Sequence, residues 1–147
     1  MDKLTEVYRD LNEMGAHIFH GSYHLKGKCD SVCVSNGTLH GVFMDTEKIK
    51  TYSQELEAAS HEWAHLDGGY LYTLDASPWT KRKAEVKADR SQIRRIVPFD
   101  ELAPLVRNGL QPWELAERFR VSEKMVKKAI DYYTGPCGLS FDEGDAI

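Results

Sequence analysis

Apolar positions recur along this chain with two different periods, and the change of period divides it into an α-rich and a β-prone part. Leu4, Val7, Tyr8 and Leu11 fall three or four residues apart, which predicts a short helix over residues 2–14 with Gly15 as its stop. From His17 to Thr46 the pattern shortens. Ile18, Phe19, Tyr23, Val32, Val34, Val42, Phe43 and Met44 form short β-prone runs, interrupted by turn-prone Lys26-Gly27-Lys28 and Ser35-Asn36-Gly37. Two or three antiparallel strands are expected there. Helical spacing returns at residues 51–67, opened by Thr51 and Gln54 in capping-box relation and closed by Gly68-Gly69. Leu56, Ala59, Trp63 and Leu66 make one apolar stripe, while Gln54, Ala58, His61 and His65 lie on another face. Ser77-Pro78 then starts a helix that can run to Pro98, and three shorter helices are predicted at 98–108, 112–119 and 123–133. The class is α+β, a small antiparallel sheet followed by a helical majority.

The second face of the 51–67 helix carries the chemistry. His61-Glu62-Trp63-Ala64-His65 fits H-E-x-x-H, in which two histidines one turn apart reach the same cation. Glu62 lies about 100° round the helix from His61, which suits a general base rather than a ligand. Two histidines seldom hold a catalytic ion, so a third ligand is needed, with one coordination position left for water. Glu85 is the expected third ligand: it lies on the next helix, and Glu85, Ala88 and Asp89 share one face there. Asp89 is placed to orient a ligand histidine through its other ring nitrogen. Tyr70, Tyr72 and His40 are all candidates for stabilising an oxyanion, and the sequence does not choose among them.

Composition narrows the setting. A chain of 147 residues, 41% hydrophobic and 29% charged, with a mean hydropathy of -0.50, has the make-up of one soluble globular domain. No apolar run approaches a membrane span, and Met1-Asp2-Lys3-Leu4 does not begin a signal peptide, so a cytoplasmic protein is expected. Cys29, Cys33 and Cys137 are odd in number and expected to be reduced; Cys29 and Cys33 lack a second pair to complete a tetrahedral site. The net charge of -4 is uneven: residues 1–77 hold 6 Lys/Arg against 12 Asp/Glu, residues 78–131 hold 13 against 8, and the tail adds Asp142, Glu143 and Asp145. A solvated basic helical region accounts for that asymmetry.

Taken together, His61-Glu62-x-x-His65, Glu85-x-x-Ala88-Asp89 and Ile96-Val97-Pro98 resemble the ImmA/IrrE metallopeptidase family, also called the domain-of-unknown-function 955 group. The similarity continues through Pro98-Phe99-Asp100-Glu101-Leu102, Glu114-Leu115-Ala116-Glu117-Arg118-Phe119, Val121-Ser122 and Ala129-Ile130-Asp131-Tyr132-Tyr133, as in short members carried by prophages and integrative elements. It covers about residues 15–133. The resemblance implies a zincin-like core over residues 1–97, a helical subdomain over 98–134 packed on it within one compact domain, and a tail from 135 to 147. It also implies Zn²⁺ held by His61, His65 and Glu85, Glu62 as catalytic base, and cleavage of a helix-turn-helix repressor. Ser91 and Arg95 depart from the family, which usually has an aromatic residue near the first and an apolar one near the second.

A second reading concerns residues 112–126. Ala116 and Val121-Ser122 suit a DNA-binding helix-turn-helix, with Arg120 where glycine is usual. Lys124, Lys127 and Lys128 are available to phosphates, although Glu123 opposes them and packing alone explains Leu115, Phe119, Val126 and Ile130. A third reading is a non-catalytic regulator that keeps the metal fold and acts by binding; the intact His61, Glu62, His65 and Glu85 weigh against it.

Overall fold

The computed structural model describes residues 1–27 and 29–142. Lys28 of the expected turn, and Glu143 and Asp145 of the acidic tail, lie outside the described residues. The elements run α1 (Lys3–Glu13), β1 (Ala16–Gly21), β2 (Ser31–Ser35), β3 (His40–Asp45), α2 (Tyr52–Gly68), α3 (Pro78–Ile96), α4 (Phe99–Arg107), α5 (Pro112–Phe119) and α6 (Glu123–Thr134). The fold is therefore α+β. Backbone contacts group it into two compact units, Met1–Gln92 and a second starting at Ile93. Among the described residues, no helix is long and apolar enough to cross a membrane.

In the first unit the sheet is mixed, not antiparallel as the strand pattern suggested. Its order is β1-β3-β2, with β1 parallel to β3 and β2 antiparallel to β3. β2 and β3 form a hairpin whose turn is tied by Asn36 Oδ1, which accepts from the amides of Thr38 and Leu39 at 3.0 and 2.7 Å. β2 follows β1 in the chain but lies at the far edge, so β3 returns between the other two strands in the direction of β1. Alternation of side chains is silent on such an ordering, because the connection decides it. That connection is pinned from the end of β3. Buried Asp45 accepts from the Leu25 amide at 3.3 Å, and the Lys48 ammonium donates to the carbonyls of Leu25, Gly27 and Cys29.

α1 and α2 pack on each other and on the sheet, burying Val7, Leu11, Ala16, Val42, Met44, Leu56, Ala59 and Ala64. α2 starts with the expected capping box, in which Thr51 accepts from the Gln54 amide and Gln54 accepts from that of Thr51. It ends at Gly69, left-handed with φ 67°. The expected division of α2 into an apolar stripe and a face bearing the histidines holds only in part. Trp63 and Leu66 are only half-buried, whereas Ala58, Ser60, Glu62 and His65 are buried along with Leu56 and Ala59. The helix is covered on several sides, so Glu62 and His65 sit inside the fold while His61 is half-buried.

α3 reaches α2 through side chains spaced four and three apart, Glu85, Asp89 and Gln92. The Gln92 amide donates to Glu57 O at 2.6 Å and to Ser60 Oγ at 2.9 Å, a buried polar clasp that sets one helix against the other. In the second unit, Leu102, Ala103, Leu115, Phe119, Met125, Val126 and Ala129 are buried, and Tyr133 donates to Val97 O at 2.8 Å.

The clasp yields a stability prediction. Gln92→Ala should lower unfolding free energy by about 1–3 kcal/mol, because it empties volume and removes hydrogen bonds from a buried hydroxyl and carbonyl. Urea denaturation measures this; a change within about 0.5 kcal/mol, the usual size for a surface substitution, would contradict it.

Candidate metal centre

Three side chains from two helices converge. His61 and His65, one turn apart on α2, face Glu85 of α3. His61 Nε2 lies 3.0 Å from Glu85 Oε2, His65 Nε2 lies 3.2 Å from the same oxygen, and the two ring nitrogens are 3.1 Å apart. Among the described residues, these form the one group of His, Cys, Asp and Glu able to hold a metal ion.

The outer ring nitrogens determine what the inner ones present. His65 Nδ1 is 2.7 Å from the carbonyl oxygen of Tyr70, which can only accept. His61 Nδ1 is 3.3 Å from Asp89 Oδ1, and a carboxylate likewise only accepts. Each neutral ring must carry its proton on Nδ1, leaving both Nε2 lone pairs aimed at Glu85. Two lone pairs and a carboxylate oxygen at one point attract a cation.

The connection between α2 and α3 supplies part of this order. A Cβ on Gly68 would lie 2.2 Å from the Tyr70 ring, so glycine is what lets Tyr70 fold back beneath the helix end. Left-handed Gly69 then turns the chain, and Tyr70 N donates to His65 O while Tyr70 O accepts from the His65 ring. Two residues on, the Tyr72 hydroxyl donates to Glu85 Oε1 at 2.7 Å.

Of the three oxyanion candidates, only Tyr72 puts a side-chain donor on a ligand. Tyr70 contributes its backbone, and the hydroxyl-bearing ring lies under Lys87 at 5.9 Å. His40 is bonded to Ser35 Oγ at 2.7 Å and lines an open apolar groove on the sheet with His17, Phe19, Val34 and Phe43, away from the converging ligands.

Glu62 does not join the three ligands. It is 3% exposed and accepts from Ser31 Oγ at 3.2 Å, so the first residue of β2 holds it in place. Ser31 also reaches Ala58 O at 3.5 Å. Neither Ser31 nor Gln92 drew attention in the sequence; for Gln92 the available signal was its place seven residues after Glu85 on the same face. Cys29 and Cys33 are free thiols and form no cluster with the histidines. Burial pushes the Cys33 thiol up to about 12, with the charges of Glu62 and Glu85 adding to it.

Burial and pairing act against each other at most of the charged groups of the centre. Burial opposes ionisation of Glu85, yet the donors on His61, His65 and Tyr72 together hold its carboxyl well below the usual range. Burial likewise disfavours a charged His61, but the carboxylates of Asp89 and Glu85 outweigh it and raise the imidazole to about 10. His65 is raised too, against its burial, by Glu85 and the Tyr70 carbonyl. Glu62 moves up, chiefly through burial, against the lowering effect of both histidines.

No protein-family model, curated protein or solved structure matches this chain.

A proton on the ion-free centre must leave when a cation enters. The His61 pKa is raised from an ordinary value of about 6.5 to about 10. Its bonding therefore stabilises the ion-free protein fully below the unfolded value and is lost as pH rises through the folded one. Between those limits a divalent ion should displace at least the His61 proton, and its affinity should rise with pH. Calorimetry at neutral pH in two buffers of different ionisation enthalpy counts the proton; none released would contradict the assignment.

Proposed function

We propose that this protein is a zinc-dependent endopeptidase of the ImmA/IrrE type that cuts a helix-turn-helix repressor of a phage or mobile element at one site. The observation that carries the reading is the pair of acceptor-only partners, Tyr70 O and Asp89, behind two histidines whose inner nitrogens face Glu85. The donor set fits the ion. Bonds of about 2.0–2.1 Å in a tetrahedron place neighbouring ligand atoms about 3.3 Å apart, and the three atoms here are 3.0, 3.1 and 3.2 Å apart. Nitrogen, nitrogen and carboxylate oxygen are also a hydrolytic zinc set that leaves a fourth position open.

Zinc bound there would polarise a peptide carbonyl and acidify water. Glu62 then has the residue's part: a carboxylate made more basic by burial takes a proton from the attacking water and passes it to the departing amine. Ser31 keeps the Glu62 carboxylate in one orientation throughout. β2 is an edge strand that begins at Ser31, so an extended substrate segment added along that edge passes beside Glu62. The repressor as substrate rests on the family resemblance.

One feature of the second unit favours a different use of this chain. Arg120 adopts the left-handed conformation, φ 57° and ψ 43°, in the short link between α5 and α6, as the glycine of a helix-turn-helix does. Exposed Glu117 and Glu123 nevertheless interrupt the cations Arg118, Arg120, Lys124 and Lys127, which suits docking of a protein better than a phosphate backbone.

Glu62→Gln separates peptidase from binding protein. It should leave ion content and fold unchanged and lower cleavage of the proposed repressor substrate by at least about 100-fold, the scale of general-base catalysis. Undiminished cleavage, or full release of the repressed genes in cells carrying the variant, would contradict the catalytic reading. Tight binding to duplex DNA with a steep salt dependence would instead favour α5 and α6 as a DNA-binding element.

A further inference from the structure

The two oxygens of Glu85 are treated differently by their surroundings. Oε2 completes the triangle with the inner nitrogens of His61 and His65, at 3.0 and 3.2 Å. Oε1 accepts the Tyr72 hydroxyl at 2.7 Å while also lying 3.2 Å from His65 Nε2. Both oxygens thus lie within reach of His65 Nε2, but Oε2 also meets His61 whereas Oε1 is engaged by the phenol. A hydrogen bond from a neutral hydroxyl to a carboxylate is charge-assisted, and it engages a lone pair of Oε1 that two-oxygen binding of an ion would draw on. Tyr72 lies in the same connection that brings the Tyr70 carbonyl to His65, so one short segment orients two of the three ligands.

We infer that Tyr72 is a positioning residue that restricts Glu85 to one-oxygen coordination and so keeps the fourth position of the centre open. The inference rests on the metal-centre reading above and deepens it. A carboxylate that binds through both oxygens occupies the place a water or a substrate carbonyl needs. Partners of this kind, bonded to ligands rather than to the ion, typically contribute about 10- to 100-fold to metal affinity.

The test is Tyr72→Phe, which removes one hydroxyl from a ring that is 39% exposed and contributes little to the core. Zinc affinity is read by competition with a chromophoric chelator. Coordination is read from the visible absorption of the cobalt-substituted protein at saturating Co²⁺, which is intense for four ligands and weak for five or six. The inference expects the variant to bind zinc about 10- to 100-fold more weakly and its cobalt form to lose visible intensity. Unchanged affinity and spectrum overturn it. Weaker binding with an unchanged saturated spectrum also overturns it, because the phenol would then support Glu85 without selecting its binding mode. Thermal unfolding of the ion-free variant, matched to wild type, excludes a folding defect. If the variant does not fold, Tyr72→His, which retains a ring N–H donor, takes its place: a wild-type spectrum supports selection by a donor, and a weak one opposes it. Failure of the wild-type protein to bind either ion overturns the metal reading itself and this inference with it, whereas a wild-type protein that binds isolates the result to Tyr72.

Discussion

Two hydrogen bonds on the far side of two imidazoles govern this structure's chemistry. A backbone carbonyl at Tyr70 and a carboxylate at Asp89 can only accept, so each fixes a ring proton on the outer nitrogen, and a ring that gives up its inner proton turns a lone pair inward. Without those partners, two histidines one helical turn apart on a buried helix would be free to pair with each other or to bond neighbouring carbonyls. With them, the rings converge on Glu85, and their fixed orientation supplies much of what a cation site needs before any ion arrives.

The rest of the first unit maintains that arrangement. Gly68 and Gly69 end α2 and let Tyr70 fold back under the ring of His65. Glu85, Asp89 and Gln92 form one face of α3, two of them facing His61 and the third clasping α2 at Glu57 and Ser60. The sheet contributes through its edge, where Ser31 holds Glu62. Burial on this scale is costly for charged groups unless each is paired. Among the described residues, every buried side-chain nitrogen and oxygen has a partner.

Much of this was legible in the sequence, for local reasons. Thr51 with Gln54, Ser77 before Pro78, and the glycines after His65 are signals read within one turn of chain, and α2 and α3 begin or end at them. Glu85 and Asp89 were legible because a four-residue spacing fixes a shared helix face. Long-range features were not. The central position of β3 depends on where the connection after β1 places β2, and the depth of Glu62 depends on β2 packing against α2, which the helix's own pattern does not reveal. That Tyr72, and not Tyr70 or His40, puts a side-chain hydroxyl on Glu85 required knowing that one ring reaches Glu85, a second offers its carbonyl to His65, and the third pairs with Ser35.

Metal content tests the central claim most directly. Elemental analysis of the purified protein, measured beside His61→Ala and Glu85→Ala, should find about one zinc per wild-type chain and a large loss in both variants, since each removes one of three ligands. Absence of zinc from the wild type, with no uptake on reconstitution, would contradict the account and leave the convergence of His61, His65 and Glu85 as a hydrogen-bonded cluster.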